Sequence, residues 1–568
     1  MQTSHQTKIA SLAVAFLAAC VTLVISPGYS YDAFTVFKLI FLYALGGTSL
    51  LIISQNFSTF RSKLGLTAIV LIVLLLLNSI LILFFSQVNF SETFYGRSGR
   101  YTGFGTFIAL IATFTAASLL SNALTRRILL SSFIFTGSIS AFYSVIQFTD
   151  NDFFTWDKVV EVNVVSFLGN PNFASSFLAV SATATFAQII KTGVTLKIRL
   201  MYFVLLSATL IGIVGAKSTQ GYLIIILGFG IVSFDYLRHK FDSKKFNTLA
   251  FGSFLLGGIV VLADILQKTP WKPILYSETV TLRGDYWRAA WNMALDFPLF
   301  GVGFNGFQNF YRRSRDSVAY NRIGSDVPVD SAHNIVLDYA SNGGFIFMGL
   351  NILLVIVVFV SAAKYLRRLP EYEPSFISIF ATWLGLTVQS LISPNQLGLT
   401  IWTWVFGGLI LGVKNEIKTS PTNAISQKSK SYRKSKNGVY YFCLVAVSLG
   451  GALAASPIVT SDHSFKLAVD SGKAADLLSS AKAGPTNTAR MVTVSAALTR
   501  YKLFQQARDL SKHALILNPD SFEAWRIYAA NPLLSDEERS NVKKELIRLD
   551  PNIEKFEGIE KYLLVGKQ

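Results

Sequence analysis

Apolar blocks of roughly membrane-spanning length recur along this chain and constrain its fold more than any other feature. Hydrophobic residues make up 51% of the 568 residues and charged residues only 15%. A helix needs about twenty apolar residues to cross the hydrocarbon core of a bilayer, and its backbone groups must be hydrogen-bonded within the segment. The sequence therefore predicts an all-α, polytopic integral membrane protein.

The apolar blocks predict about thirteen spans, with about nine before a long polar segment and about four after it. The predicted spans lie near Ile9–Ile25, Ala33–Ser54, Leu64–Ser86, Thr102–Leu120, Ile128–Phe148, Asn172–Ile190, Leu200–Gly215, Tyr222–Leu237, Leu249–Leu266, Gly344–Ala363, Ser375–Ile392, Gln396–Val413 and Val439–Ala455.

The spans and the polar stretches between them predict a division of the chain into domains. Residues 1–266 form the N-terminal transmembrane helices, 267–340 a large loop with the densest cluster of reactive side chains, 341–413 further transmembrane helices, 414–438 a basic linker, 439–455 the last span, and 456–568 a small helical domain.

Basic residues in alternate short loops predict the orientation, because such loops favour the cytoplasmic side. This bias explains most of the net charge of +18, so we expect no nucleic-acid partner. The N-terminus is predicted to be cytoplasmic, and the 267–340 loop and all residues after Ala455 extracytoplasmic. The basic loop residues are Arg61, Lys63, Arg126, Arg127, Lys191, Lys197, Arg199, Arg238, Lys240, Lys244, Lys245, Lys364, Arg367 and Arg368.

The C-terminal segment has the composition of a soluble helical domain. Ala507, Ala514 and Pro519 have the spacing of the second helix of a tetratricopeptide (TPR) unit, and Trp525 and Tyr528 fall where the next unit's first helix places its large residues. A generic helical hairpin is the alternative. The pattern predicts a TPR-like domain that binds a partner protein or packs, rather than one that catalyses.

The two cysteines, Cys20 and Cys443, both lie in apolar spans, so we expect neither a disulfide framework nor a metal site. Cys20 follows a short motif that resembles a lipoprotein cleavage site. The apolar run continues beyond it, so we expect the first span to be retained.

Several cations lie on the predicted outer side, against the bias that governs the other loops. Guanidinium groups match phosphate oxygens bidentately, so arginines at the outer helix ends are candidates to hold a diphosphate. A lysine about two turns inside its span is a further candidate, although lipid-headgroup anchoring is the alternative for each residue alone. The candidates are Arg97, Arg100, Lys217, Arg283, Arg288 and Lys38.

His333, followed by Asn334, lies at the end of the long loop, immediately before a predicted span. Histidine exchanges a proton near neutral pH, and this position places it at headgroup level. Of the five histidines, it alone is predicted to lie beside the outer membrane face. His333 is therefore the candidate catalytic base, with an ordinary surface histidine as the alternative.

Several motifs together resemble the O-antigen ligase family of membrane glycosyltransferases. The stretches around Arg283 and His333 resemble the signature loop of this family. Two earlier stretches resemble the family's arginine-containing outer loop and the start of one of its middle helices. The motifs are Leu282–Trp287 (LRGDYW), Pro298–Gly303 (PLFGVG), Phe307, Ala332–Asn334 (AHN), Gly343–Gly344, Gly96–Gly103 (GRSGRYTG) and Gly169–Asn172 (GNPN).

The resemblance covers most of the chain up to about Val413 and implies a helical bundle of the glycosyltransferase C type. It implies transfer of a glycan from an undecaprenyl-diphosphate carrier to an acceptor hydroxyl or amine, without metal or other cofactor. Arg283 and Arg100 would bind the diphosphate and His333 would assist the acceptor. Asn334 and Asp285, which belong to the same motifs, are supporting candidates.

The implied setting is a bacterial plasma membrane, with membrane lipids as further partners. The acceptor stays open among a glycan, a lipid, a protein and a wall polymer, so ligase and polymerase are both compatible. A transporter or flippase ranks next, and a scaffold built around the C-terminal domain last. Two features depart from the family: Lys217–Gly221 (KSTQG) has no arginine where many members have one, and simple ligases lack the last span and its domain.

Overall fold

The structure is a computed structural model that describes residues 4–156, 163–241, 243–270, 278–323, 329–413 and 437–556. Within these ranges the regular secondary structure consists of helices and short 3-10 turns, which confirms the all-α prediction. Most of the predicted basic linker, 414–436, and parts of the predicted 267–340 loop, 271–277 and 324–328, lie outside the described residues.

The helices follow one another through the chain with few long connections. The first eleven are α1 Ser4–Leu23, α2 Val36–Gln55, α3 Phe60–Leu64, α4 Leu66–Phe85, α5 Phe90–Tyr95, α6 Phe104–Leu120, α7 Ala123–Phe148, α8 Pro171–Ile189, α9 Leu196–Gly215, α10 Thr219–Phe241 and α11 Lys244–Ile265. The next seven are α12 Glu278–Asp296, α13 Phe307–Ser314, α14 Ser317–Ile323, α15 Ile335–Leu366, α16 Pro374–Gln389, α17 Leu397–Gly412 and α18 Asn437–Ser471. The last six are α19 Ala474–Lys482, α20 Thr488–Arg500, α21 Phe504–Leu517, α22 Phe522–Ala529, α23 Asp536–Leu549 and α24 Asn552–Phe556.

The described ranges contain nine helices long and apolar enough to cross a membrane, so the chain is a polytopic membrane protein. The other predicted spans coincide with α6, α8, α16 and α17, which are shorter or less apolar. Helix α8 is rich in Ala, Ser and Thr, and nearly all its side chains are buried by neighbouring helices rather than facing outward. Small side chains allow this close packing between membrane helices.

Helix α18 returns the chain to the bundle and packs along α2 with the two backbones nearly touching. A Cβ on Gly47 would lie 2.3 Å from the carbonyl oxygen of Val447, and one on Gly451 would lie 2.1 Å from that of Tyr43. Only glycine permits this approach, which is the small-residue packing typical of membrane helices. The last predicted span is therefore built into the bundle and is more than an appended anchor.

Helix α18 also extends past its predicted end. The predicted boundary between the last span and the C-terminal domain, 455/456, lies inside this helix, which runs through Pro457 to Ser471. Pro457 has no N–H to donate to the carbonyl of Leu453, but the hydroxyl of Ser456 donates to that oxygen at 2.7 Å. Because this substitute bond is available, the helix continues directly into the C-terminal domain.

The connections divide between two ends of the bundle. Two of the predicted cytoplasmic basic residues lie at the same end, near the connection from α15 to α16. Arg126 lies 3.8 Å from Glu373, and Arg238 donates to the carbonyl of Leu366 at 2.7 Å. Helices α5, α12, α13 and α14, with the start of α15, form the other end, which we call the polar end. Which end faces the cytoplasm stays a prediction.

The start of α15 is fixed to the polar end by the turn of the PLFGVG motif, Pro298–Gly303. Gly301 and Gly303 have φ of +62° and +98°, which glycine alone adopts freely. The turn donates from Val302 N to Ser341 O at 2.8 Å, and Phe345 N donates to Pro298 O at 2.8 Å. The turn thus holds α15 on both sides of a kink at Gly344, where φ is +77°.

The C-terminal domain consists of consecutive helices that pack on one another and on the polar end. Ala507 and Ala514 are buried in α21, and Trp525 and Tyr528 are buried in α22, each in the helix where the repeat hypothesis places it. Trp525 Nε1 also donates to the carbonyl of Pro519 at 2.8 Å. The TPR-like interpretation itself stays a prediction.

Candidate functional site

His333 occupies the last loop position before α15, in a strained backbone conformation with φ of +52°. Two neighbours hold it there. Asn334 is the N-cap of α15, its side-chain oxygen accepting from Val336 N at 3.0 Å and Leu337 N at 3.2 Å. Asp338 accepts from Ala332 N at 2.7 Å and so fixes the loop immediately before the histidine. Left-handed backbone outside glycine concentrates at functional sites, where surrounding contacts maintain it.

The imidazole of His333 is half-buried among charged groups of the polar end. Its ring centroid lies 5.7 Å from that of Tyr286. Burial lowers the pKa of His333 to about 4; the carboxylate of Asp330 acts in the opposite direction, and Arg100 and Arg283 lower it further. The ring is therefore neutral at neutral pH and able to accept a proton.

Arg100 and Asp330 form a bidentate pair beside His333. The guanidinium donates from Nε at 2.8 Å and from Nη2 at 3.3 Å. Burial acts to raise the pKa of Asp330, but Arg100, with smaller contributions from His333 and Arg97, outweighs it, and the pKa lies below its usual value. The Arg100 side chain keeps 25% of its surface exposed, so its remaining donors are accessible to an anion.

Arg283 lies in α12 and faces the same cluster. Its side chain is half-buried and forms no hydrogen bond or ion pair with any residue the structure describes. Burial lowers its pKa, so the site disfavours the cation unless an anion is present. Of the two arginines that act on His333, Arg283 therefore better meets the requirement for an anion ligand.

Asp285 and Arg288, which the sequence also nominated, form part of the scaffold. The buried Asp285 accepts from Arg288 Nη2 at 2.6 Å and from Arg322 Nη1 at 2.7 Å. Arg288 also donates to Asp316 at 2.6 Å. These bonds join α12 to α14 and pair the charge of Arg288 with two carboxylates, so its role in binding an anion stays a prediction.

Lys38 is likewise enclosed. Its side chain has no exposed surface, and Nζ donates to the carbonyls of Thr22 at 2.6 Å and Phe167 at 3.0 Å. It joins α1 and α2 to the turn before α8, and we do not include it in the anion site. The sequence gives no sign of this arrangement, because both acceptors are backbone atoms distant in the chain.

Lys217 is exposed at the start of α10, with φ of +51°. The next residue, Ser218, donates to the side-chain oxygen of Asn172 at 2.7 Å, so this stretch contacts the GNPN motif that opens α8. Arg100 lies over the ring of Phe173 in the same helix, 6.0 Å from its centroid. The predicted motifs therefore meet around the N-terminus of α8.

Arg97 lines a cavity shared with the C-terminal domain. Asp330, Asp338 and Arg322 also build the site, although the sequence did not single them out. The only sign of Asp330 in the sequence was that this carboxylate lies shortly before the candidate base His333. In the part of the chain that the structure describes, no group of three His, Cys, Asp or Glu side chains is placed to hold a metal ion.

Two adjacent cavities lie beside this cluster. A polar one of about 50 Å³ contains Arg100 and Asp330, and an apolar groove of about 280 Å³ lies between α15, α16 and α17. Tyr339, Pro394 and Asn395 line both. On α15 the groove borders side chains that the bundle leaves exposed, such as Val355 and Ile356. An amphipathic molecule could therefore enter sideways from the bilayer.

The fold and this site define a polytopic membrane protein with an arginine and histidine cluster where an apolar groove meets the polar end. Residues 202–352 match the model of the O-antigen ligase family, as the motifs around Arg283 and His333 led us to expect. The match includes Arg283 and His333 but neither Arg100 nor the C-terminal domain. No curated protein matches the chain. The family match supports a membrane glycan-transferring enzyme of the ligase or polymerase kind.

Proposed function

We propose that this protein transfers a glycan from an undecaprenyl-diphosphate carrier to an acceptor hydroxyl or amine. The observation that carries the proposal is the junction between the apolar groove and the polar cavity at Tyr339 and Asn395. A polyprenyl diphosphate has this distribution of polarity, with a long apolar chain and a compact anionic head. Its chain would lie in the groove and its diphosphate beside Arg100 and Arg283.

The two arginines have different roles in this proposal. Arg283, which has no partner among the described residues, binds the diphosphate directly. Arg100 is held in place by Asp330 and offers its remaining donors to the same anion. Fixed guanidinium groups in a partly desolvated site stabilise charge that develops on a leaving group. We expect the reaction to need no metal for this reason.

His333 is the proposed general base. The acceptor oxygen attacks the anomeric carbon, the bond from that carbon to the diphosphate oxygen breaks, and the lipid diphosphate leaves with the electron pair. The acceptor proton passes to a ring nitrogen of His333, which the low pKa keeps neutral beforehand. Binding of the anionic diphosphate raises the pKa of His333 and strengthens it as a base.

The proposed location is a bacterial plasma membrane with the polar end outside and the N-terminus in the cytoplasm. This orientation follows from the basic residues of the alternate loops. The acceptor is a glycan, lipid, protein or wall polymer on the outer face. A ligase and a polymerase would use the same donor site, and the proposal includes both.

The test is transfer of a labelled glycan from undecaprenyl diphosphate by the purified full-length protein in nanodiscs, with a chelator present. Arg283→Ala and His333→Ala should each lower release of the lipid diphosphate by about a hundredfold or more. Arg127→Ala and His513→Ala remove exposed side chains of the same types and serve as matched controls. Equal unfolding midpoints would establish that folded amounts are comparable.

The outcomes distinguish the transferase hypothesis, its site assignment and the transporter hypothesis. Metal-independent release that falls in both site variants and in neither control supports the transferase and its site. Unchanged release in Arg283→Ala and His333→Ala would contradict the site assignment. If the parent releases nothing with several classes of acceptor, the transferase proposal fails and transport of a lipid-linked glycan becomes the leading reading.

A further inference from the structure

A polar cavity of about 270 Å³ lies between the C-terminal domain and the polar end of the bundle, and we call it the interdomain cavity. Arg97 contributes from the loop before α6, and Gln308 and Asn309 from α13. Helices α20 and α22 of the C-terminal domain close the opposite side. The cavity therefore exists only while that domain is docked.

Several polar side chains that line the interdomain cavity are available to bind a ligand. Arg97, Gln308 and Asn309 are half-buried, and their side chains form no hydrogen bond or ion pair with any described residue. Other charged side chains in the lining are paired with one another: Glu523 forms ion pairs with both Arg312 and Arg526 at 2.8 Å. The lining thus presents free donors and acceptors without a large excess of either charge.

Three groups deeper in the same walls also lack partners among the described residues. They are the hydroxyls of Tyr311 and Thr488 and the side-chain oxygen of Asn518. These residues are only 1%, 3% and 3% exposed, respectively. A buried polar atom left unsatisfied costs about 1–3 kcal/mol, so proteins rarely retain several together. Their concentration at one cavity points to a polar ligand.

The ligand must be rich in groups that both donate and accept hydrogen bonds. An apolar chain would leave the amides unsatisfied, and a multiply charged anion would meet Glu92 and Glu523 in the same walls. Saccharide hydroxyls satisfy amides, hydroxyls and guanidinium groups alike. We infer that the interdomain cavity binds a short saccharide, the glycan part of one substrate.

The interdomain cavity adjoins the reaction centre. Asn305 lines both this cavity and the polar cavity that contains Arg100. Its side-chain oxygen accepts from the hydroxyl of Thr102 at 3.1 Å, which fixes the wall between them. A saccharide bound here would have one end beside Arg100 and His333. The assignment to a substrate rests on the proposed transferase function, whereas saccharide binding itself does not.

Two variants test the inference on the full-length protein in nanodiscs. Gln308→Ala combined with Asn309→Ala removes free amides, and Ala489→Trp fills the cavity from the side of the C-terminal domain. Ala475→Trp adds the same bulk at an exposed position of that domain and is the matched control. The probe is a mixture of short oligosaccharides released by mild acid from the host's own envelope polysaccharide, and binding is measured by saturation-transfer NMR.

We expect the parent and Ala475→Trp to bind the oligosaccharides, and both cavity variants to bind at least tenfold more weakly with unchanged unfolding midpoints. In the transfer assay, a raised KM for the acceptor with an unchanged donor KM assigns the saccharide to the acceptor, and the reverse assigns it to the donor. No binding by the parent, or equal binding by parent and cavity variants, would overturn the inference.

The two proposals fail separately. Loss of binding in the cavity variants without any transfer by the parent would leave the saccharide site standing and reject the transferase. Normal transfer, with both KM values unchanged in the cavity variants, would reject the saccharide site and leave the transferase standing.

Discussion

At the scale of single residues, the structure separates cations that look equivalent in the sequence. Arg283 and Arg288 lie in the same helix, yet Arg288 is neutralised by Asp285 and Asp316 while Arg283 has no described partner. The pairing with Asp285 has ordinary i,i+3 helix spacing and was readable from the sequence. The pairing with Asp316 spans 28 positions and needed the fold.

The low pKa of His333 gives a prediction about pH. A general base works in its neutral form, so kcat/KM should be nearly flat from pH 8 to about 5.5 and fall as pH decreases through about 4. Arg100→Gln removes a cation that lowers this pKa and leaves Asp330 unneutralised, so its acid limb should move to higher pH. The pH dependence of glycan transfer by purified protein measures both.

An acid limb of the parent near the ordinary histidine value of about 6.5 would contradict the burial of His333. An unchanged midpoint in Arg100→Gln would contradict the electrostatic contact between the two side chains. Unfolding should be measured at each pH, because a buried neutral histidine makes the fold less stable as pH falls below about 6.5.

At the scale of elements, the position of His333 depends on how α15 begins and bends. The PLFGVG turn bonds to the helix on both sides of Gly344, and Asn334 caps the helix start. The sequence predicted the span, but it placed the start near Gly344. Helix α15 begins earlier, at Ile335, because the kink at Gly344 lets the helix continue in a new direction.

Gly344→Ala should therefore destabilise the protein and lower transfer. Its φ is +77°, and an added Cβ would lie 2.4 Å from the carbonyl carbon and oxygen of Leu299. Backbone strain of this kind alone costs about 1–3 kcal/mol. Thermal unfolding of the detergent-solubilised protein measures the change, with transfer activity as a second readout.

Gly349→Ala is the matched control in the same helix. A Cβ there meets nothing within 4 Å, and its backbone is helical, so we expect unchanged or slightly increased stability. Equal unfolding midpoints for the two variants would show that the kink at Gly344 is not needed to hold the turn.

At the scale of the whole molecule, the C-terminal domain is bound to the polar end by arginines of α13 and the residue that follows it. Arg312 pairs with Glu523, Arg313 with Asp520, and Arg315 with Asp550. Arg312 also lies over the ring of Phe522, 4.1 Å from its centroid. The C-terminal domain therefore packs on the loop that contains the candidate site, and it contacts the basic helix α13 of that loop.

Asp550→Asn should loosen this docking more than Asp520→Asn. The side chains of Arg315 and Asp550 are both fully buried, and removing one partner of a buried pair costs about 3–5 kcal/mol. Asp520 pairs with the partly exposed Arg313 and Arg548, and such pairs contribute about 1 kcal/mol or less. Hydrogen exchange of helices α21 to α23 in the full-length protein measures the loosening.

Faster exchange in Asp550→Asn than in Asp520→Asn supports docking through the buried pair. Equal exchange in both variants and the parent would contradict it. Combining Arg315→Gln with Asp550→Asn removes both charges of the buried pair. The double variant should recover part of the lost protection from exchange, because neither charge of the pair is then left unpaired.

The sequence alone was enough to predict the membrane class and the approximate spans, and it nominated the residues of the candidate site. It could do so because bilayer thickness sets helix length and because the motifs around Arg283 and His333 are local in the chain. The tertiary structure decided which cations are free, that Lys38 is enclosed by backbone carbonyls, and that the C-terminal domain closes a cavity beside the site. These features depend on contacts between residues far apart in the chain, for which local periodicity and charge give no signal.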